Sequence, residues 1–231
     1  MTIGELVHGF RGWLDVTGHI STETNWSAEL IYRHMLKFRA KYISDKINKG
    51  QPLSAESMRI VPCVGLVKAP RWECPCQPAD GCVWMKTKIP VIRHIYIDSV
   101  SSPGGEISYD FLNWNDFGDK QNHRIPMMAA EPYYTHKIIG DDYWHFFYNS
   151  NHRKLVTYTM IPYDPIEYAM MPDCGGKRNL CLNAFDVVFP MDPDMEPQLF
   201  VETYSSLVAP RPKDGDVVTN QIKDLPGLPQ K

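Results

Sequence analysis

Three cysteines lie within nine residues in the segment RWECPCQPADGCVW, residues 71–84. Thiolates bind zinc and form disulfides, so this is where the sequence offers metal or redox chemistry. A structural zinc site normally has two ligand pairs with C-x2–4-C spacing. Here one residue separates Cys74 from Cys76, and five separate Cys76 from Cys82. A redox C-x-x-C motif is also missing, so the spacing favours neither chemistry.

A zinc site in this segment would need a fourth ligand from elsewhere, with Cys63 and His94 as the candidates, and Cys174 with Cys181 could form a second ligand pair. The alternative is a loop stiffened by proline and glycine, in which the thiols are small apolar side chains. We favour the loop, anchored at its two ends by Trp72 and Trp84. The sequence therefore predicts no metal site, while a zinc-stabilised interaction module built on the three clustered cysteines stays open as an alternative.

The other residues whose side chains could take part in catalysis do not form a known catalytic pattern. None of the eight histidines forms an H-x-x-x-H or H-E-x-x-H motif. His94 and His145 fall in predicted strands, where we expect core or interface residues with satisfied hydrogen bonds. The neighbouring carboxylates of Asp141 and Asp142 suit a turn, because adjacent strand residues point to opposite faces. With no nucleophile elbow, phosphate loop or dinucleotide fingerprint, we predict no catalytic residues and no cofactor.

The charge and hydrophobicity of the chain limit the classes of partner that it could bind. The net charge is −3 and the isoelectric point is about 6.2, which disfavours a nucleic-acid binder. No apolar run approaches the roughly 18 residues of a membrane span. Glu5 interrupts the N-terminus early, so we expect no signal peptide, and without export we expect the six cysteines to be reduced.

Helical periodicity is clearest near the N-terminus. Residues 2–16 have apolar side chains at helical spacing, and residues 28–47 form a longer amphipathic segment behind a good N-cap, Ser27. The second helix also carries a basic stripe, Arg33, Lys37 and Lys41. This stripe is either a solvated face or a contact surface for an acidic neighbour. A third helix is predicted over residues 198–208.

Between the helices, the sequence consists of short runs rich in β-branched residues, each bounded by turn residues. The pair YWHFFYNS and RKLVTYTMI is joined by polar residues 149–152 and is predicted to form a hairpin. Bulky side chains on both faces of residues 143–148 indicate a central strand. Residues 162–197 are rich in proline and are predicted to be loop.

The predicted fold class is α+β: an N-terminal helical pair packed on a β-rich, antiparallel body, followed by a C-terminal helix and an extended arm. We divide the chain into a helical region, 1–50, a β-rich body, 51–197, and a helix with its arm, 198–231. The arm, APRPKDGDVVTNQIKDLPGLPQK, is polar and needs a partner to become ordered. Val217, Val218 and Ile222 are its natural apolar anchors.

The order of these features resembles a known class of proteins. A capped helix carries Ser27, Ile31, Tyr32 and Leu36, and a cysteine-bearing loop then leads to an element at Pro90. The run YWHFFYNSNHRKLVTYTMIPYDP follows, then Cys174…Cys181, an acidic, proline-rich run, a helix and a polar arm ending in Asn220…Asp224. This order resembles virion structural proteins of tailed phages, in particular neck or tail ring proteins of crAss-like and related short-tailed phages.

The resemblance covers nearly the whole chain and implies a component of the head-to-tail connector. Such a subunit would form a homo-oligomeric ring of about twelve copies, in contact with the portal or neighbouring tail ring proteins. Genomic DNA would pass through the ring without specific binding. We expect no enzymatic activity and no membrane partner. The implied location is the virion neck or tail, after assembly in the host cytoplasm.

The predicted interface consists of Arg33, Lys37 and Lys41 on the second helix and of Val217, Val218 and Ile222 in the arm. Besides the zinc module, a hydrolase with a distributed active site remains as a second alternative, because catalytic residues need not be close in sequence.

Overall fold

A computed structural model of the chain describes residues 1–18, 26–70, 73, 84–113, 132–148, 154–174, 176 and 182–208. Within these residues the fold is α+β, with helices at both ends and one sheet of seven strands between them. The helices are α1 (Ile3–Thr17), α2 (Ala28–Asn48), α3 (Pro165–Ala169) and α4 (Glu196–Val208). The strands are β1 (Arg59–Lys68), β2 (Met85–Thr87), β3 (His94–Ser101), β4 (Asp110–Phe111), β5 (Tyr133–Ile139), β6 (Asp142–Tyr148) and β7 (Leu155–Pro162).

The first two helices form where the sequence predicts them. Thr2 caps α1 in a capping box, in which Glu5 N–H donates to the threonine hydroxyl and Thr2 N–H donates to the Glu5 carboxylate. Gly18 ends the helix in the left-handed conformation, with φ of 70°. Ser27 caps α2 by accepting a hydrogen bond from Leu30 N–H at 3.2 Å.

The C-terminal helix packs with the two N-terminal helices. Phe10 of α1 meets Phe200 of α4 edge to face at 5.7 Å between ring centroids, and Trp13 contacts Tyr204 in the same way. The segment before α4 joins this cluster, because Ile3 N–H donates to the Val187 carbonyl. Both ends of the described chain therefore lie in one helical cluster, and the predicted division at residues 1–50, 51–197 and 198–231 stays a prediction.

The sheet has the strand order β3-β7-β1-β2-β6-β5-β4. All neighbouring pairs are antiparallel except β4 with β5. The strand β6 lies inside the sheet and is apolar on both faces, as its bulky side chains predict. Phe147 belongs to the cluster on one face and Phe146 to the cluster on the other, and both are fully buried.

The predicted hairpin between β6 and β7 is wrong. These two strands are separated in the sheet by β1 and β2, so their adjacency in sequence does not become a pairing. Instead, β5 and β6 form the hairpin, and Gly140 permits its tight turn with a φ of 67°. The polar residues 149–152, on which the prediction rested, lie outside the described residues.

The segment predicted as loop, residues 162–197, contains a short helix and two 3-10 turns. Asp164 starts α3 by accepting a hydrogen bond from Ile166 N–H at 2.8 Å, and Pro165 occupies the first helical turn. This capping pattern was present in the sequence as Asp-Pro, but the density of prolines around it indicated loop.

The expectation that all cysteines are reduced is also wrong. Cys63 and Cys174 form a disulfide across 111 residues, with Cα atoms 5.1 Å apart. Cys63 lies where the register of β1 against β7 shifts between Val61 and Val64, and its φ of 58° is left-handed. Such an irregularity interrupts the regular alternation of side chains along a strand. Because its sulfur is bonded to Cys174, Cys63 is not available as a zinc ligand.

A buried arginine joins α2 to the end of the sheet. The Arg39 side chain is fully buried and donates to the carbonyl oxygens of Pro190 at 2.7 Å and Pro162 at 2.8 Å. A longer third bond reaches the Tyr163 carbonyl, and the guanidinium also lies over the ring of Phe189. Burial lowers the pKa of Arg39 to about 10, so the group remains charged at neutral pH.

Candidate subunit interface

The predicted basic stripe lies on the exposed face of α2. Arg33, Lys37 and Lys41 follow one another at four-residue spacing and span roughly 12 Å at 1.5 Å per residue. Arg33 also forms an ion pair with Glu29 at 2.6 Å, and both side chains are about two-thirds exposed. Such an exposed pair contributes little to stability. All three side chains are exposed in the single chain, which fits both a solvated face and a contact surface, and the stripe borders two grooves along the contact of α2 with α4.

The larger groove, which we call the Trp26 groove, lies between the N-terminal half of α2 and the C-terminal end of α4. Its volume is about 640 Å³, within the size range of ligand sites in proteins. Its apolar lining includes aromatic and leucine side chains, while the first two members of the basic stripe supply charge. The residues that matter below are Trp26, Leu30, Arg33, Lys37, Tyr163 and Leu207.

Side-chain contacts hold the walls of the Trp26 groove in place. The His34 ring nitrogen Nδ1 and the Ser206 hydroxyl are 2.8 Å apart, which ties α2 to α4. The Trp26 ring meets Tyr204 of α4 edge to face at 6.3 Å, and Arg11 donates to the Trp26 carbonyl oxygen. The groove is thus lined mainly by α2 and α4, and α1 supports it through the bond from Arg11.

A partly buried hydrogen bond links α2 to the start of α3. The Tyr32 hydroxyl donates to the Asp164 carboxylate at 2.7 Å. Burial, followed by the bond to this carboxylate, raises the pKa of Tyr32 far above its ordinary value. The phenol therefore stays neutral and serves as a fixed donor. The same carboxylate oxygen, Oδ1, also accepts the hydrogen bond from Ile166 N–H that caps α3.

The second groove, the Tyr42 groove, lies further along the same helices and has a volume of about 260 Å³. Lys41, the last member of the basic stripe, lines it together with Tyr42 and Glu202. Lys46 lies over the Tyr42 ring at 5.0 Å and forms an ion pair with Asp192, whose hydrogen bond raises the pKa of Lys46. Both signs of charge are present, so this groove is more nearly neutralised than the Trp26 groove.

A third cavity lies at the other side of α3, next to the β5–β6 turn, with a volume of about 430 Å³. Asp141 and Asp142 line it, the first within the turn as predicted and the second at the start of β6. Glu167 and Arg93 complete its charged lining. Burial, and then the charge of Asp164, raises the pKa of Glu167, and Arg93 opposes this shift.

Histidines gather on one face of the sheet. The ring of His145 lies 5.8 Å from that of His94 and 6.3 Å from that of His136. His145 is buried, as predicted, but its two ring nitrogens have no hydrogen-bond partner among the described residues, contrary to the expectation of a satisfied core histidine. Burial lowers the pKa of His145 well below its ordinary value, and the neighbouring histidines lower it further.

Within the described part of the chain, no group of three His, Cys, Asp or Glu side chains could hold a metal ion.

Several predicted residues fall outside the described residues. These are the clustered cysteines Cys74, Cys76 and Cys82, and the arm anchors Val217, Val218 and Ile222. Of the two predicted loop anchors, Trp84 is buried and lies 5.2 Å from the ring of Tyr148, while Trp72 lies outside the described residues.

The Trp26 groove is the feature that the sequence did not reveal. Its two walls come from residues more than 160 positions apart in sequence, on α2 and on α4, and no local pattern predicts their contact. A search with models of known protein families finds no match to the chain, and a comparison with curated proteins finds none either. Among the residues that the structure describes, no helix is long and apolar enough to cross a bilayer.

Proposed function

We propose that the chain is a structural subunit of a phage head-to-tail connector or tail ring. In this proposal, about twelve copies close into a ring around the DNA channel, in contact with the portal or with neighbouring ring proteins in the virion. The proposal combines the residue order described above with one structural observation. That observation is the Trp26 groove, an open, partly cationic groove beside the root of the C-terminal arm.

A ring requires two different, complementary patches on each subunit, because head-to-tail contacts are heterologous. The Trp26 groove and its basic stripe provide one patch with apolar and charged character. The arm, residues 209–231, supplies a second element that can extend to a neighbour. A subunit with both a groove and an extending arm is better explained as part of a repeated assembly than as a protein that acts as a monomer.

The net charge of −3 fits a DNA conduit. A channel wall with few cations binds phosphates weakly and lets the duplex slide, whereas a strongly basic wall would hold it. A strongly basic lumen in an assembled ring would contradict this part of the proposal.

The direct experiment is negative-stain electron microscopy of the purified chain, alone and mixed with the portal and tail proteins encoded beside it. Rings, alone or only on the portal, are the expected result, and top views would give the copy number. Persistent monomers under both conditions would overturn the proposal, and zinc analysis of the purified protein would then be the next measurement.

Deletion of residues 210–231 tests the role of the arm. We expect the truncated chain to keep its helical cluster and sheet, with circular dichroism and a melting transition like those of the full chain. We expect ring formation to be weakened. If micrographs show equally abundant rings from the truncated chain, the arm does not contribute to assembly.

A further inference from the structure

The arm begins beside the Trp26 groove. Leu207 lines this groove, and α4 ends one residue later at Val208, where the arm follows. Within one closed ring, each arm root is therefore next to its own groove, and each subunit presents both to its neighbours. Because of this proximity, the groove is a candidate binding surface for the arm.

The groove and part of the arm have matching chemistry. The groove places the cations Arg33 and Lys37 beside the apolar side chains of Trp26 and Leu30. The arm contains the run Asp214-Gly215-Asp216-Val217-Val218, in which two carboxylates precede two valines. In an extended strand, Asp214, Asp216 and Val218 lie on the same face, so the two acids can pair with the cations while Val218 is buried against the apolar wall.

We propose that the Trp26 groove binds the segment Asp214–Val218 of a second copy of this chain. The inference rests on the proposed ring function and specifies its contact. The sequence Ala209-Pro210-Arg211-Pro212 favours a neighbouring copy over the same one. Prolines, and the residues before them, prefer extended backbone, which disfavours the sharp chain reversal that a contact with the groove of the same copy would require. Five residues, 209–213, can span about 16 Å when extended, which is enough to carry Asp214 away from its own groove.

A photocross-linking experiment on the full chain tests this contact directly. Val218→p-benzoylphenylalanine is produced in two forms, one carrying a size tag, which are mixed at high concentration and irradiated. Mass spectrometry of the tagged–untagged adduct is expected to place the link on residues 26–37 of the other copy. Links confined to one chain, links to another surface, or no links would each overturn the inference.

Charge reversal tests the recognition. Arg33→Glu with Lys37→Glu is expected to lower the yield of the intermolecular link about ten-fold, since two attractions become repulsions. Asp214→Lys with Asp216→Lys is expected to do the same, and the combination of all four changes is expected to restore the yield. Failure of the combined variant to recover the link would contradict the pairing of these charges.

A matched control separates specific pairing from a general effect of charge. Lys68→Glu with Lys154→Glu changes the net charge of the chain by the same amount on exposed residues of the sheet. Its cross-link yield is expected to remain within about two-fold of the unchanged chain. An equal loss in this control would overturn the inference, because the groove would then have no special role.

The outcomes also separate this inference from the proposed function. Rings in micrographs together with cross-links on a different surface would retain the ring proposal and reject the Trp26 groove as the arm site. Links to residues 26–37 in a sample that never forms rings, alone or on the portal, would support the arm site and reject the ring.

Discussion

The buried Arg39 gives the sharpest test of how the helical cluster is attached to the sheet. Arg39→Met keeps a long, unbranched side chain but removes the donors to the carbonyl oxygens of Pro190 and Pro162. A hydrogen bond from a charged donor contributes about 1.5–3 kcal/mol, and a buried acceptor left without a partner is costly. The substitution also removes the cost of burying a charge, and this offsets part of the lost hydrogen-bond energy. The offset is favoured because Arg39 Nη2 has no hydrogen-bond partner among the described residues.

The net loss is therefore expected to be about 3 kcal/mol of the free energy of unfolding. In a chain of this size it corresponds to a fall in Tm of about 6–12 °C. Urea unfolding followed by tryptophan fluorescence measures the difference. Arg39→Lys is expected to be intermediate, since an ammonium group keeps the charge but lacks the planar fork that reaches two carbonyls at once.

Arg33→Met on the same helix is the matched control, because its side chain is exposed and its ion pair with Glu29 is on the surface. This variant is expected to change stability by no more than about 0.5 kcal/mol. Equal unfolding curves for Arg39→Met and Arg33→Met would refute the reasoning, since the buried contacts would then have no energetic consequence.

Three further perturbations test other contacts. Reducing the Cys63–Cys174 bridge, which spans 111 residues, is expected to lower the free energy of unfolding by about 5 kcal/mol through regained loop entropy. Identical melts with and without reductant would contradict this. Stability is expected to fall below about pH 6.5, because the unfolded chain takes up a proton that folded His145, with its lowered pKa, does not. Urea titrations at about pH 7.5 and about pH 5 measure this loss in the free energy of unfolding, which should be smaller in His145→Phe. An equal loss in the unchanged chain and in His145→Phe would exclude His145 as its source. Tyr32→Phe is expected to cost about 1 kcal/mol by removing the bond to Asp164, and a neutral result in urea would show that this bond adds nothing.

Local features of the fold were predictable because their signals are local. The capping residues Thr2 and Ser27 and the apolar spacing behind them lie within one or two turns of the helices they start. The central position of β6 was also readable, since bulky residues alternate on both of its faces. The α+β class follows from these elements, whose types do not depend on which strands pair.

Strand pairing and side-chain partners were not predictable in the same way. The order of β6 and β7 depends on β1 and β2, which enter the sheet from a distant part of the chain. Six cysteines allow fifteen complete pairings, so spacing could not select Cys63 and Cys174. For Arg39 a signal did exist, because it lies four residues from both Met35 and Ile43 on the buried stripe of α2, but a cation at such a position is usually exposed.

The arrangement of the helical cluster makes the folding of this chain separable from its assembly. The buried residues of α4 are Leu199, Phe200 and Thr203, all before the arm root at Val208. Among the described residues, the buried contacts that hold α4 against α1 and α2 therefore all precede the arm and remain when it is deleted. The basic stripe is equally dispensable for the core, since its side chains are exposed. Changes at the stripe and in the arm should thus act on assembly at nearly constant stability, whereas Arg39→Met should act on stability first. A variant of the stripe that unfolded the chain would contradict this separation and the interface built on it.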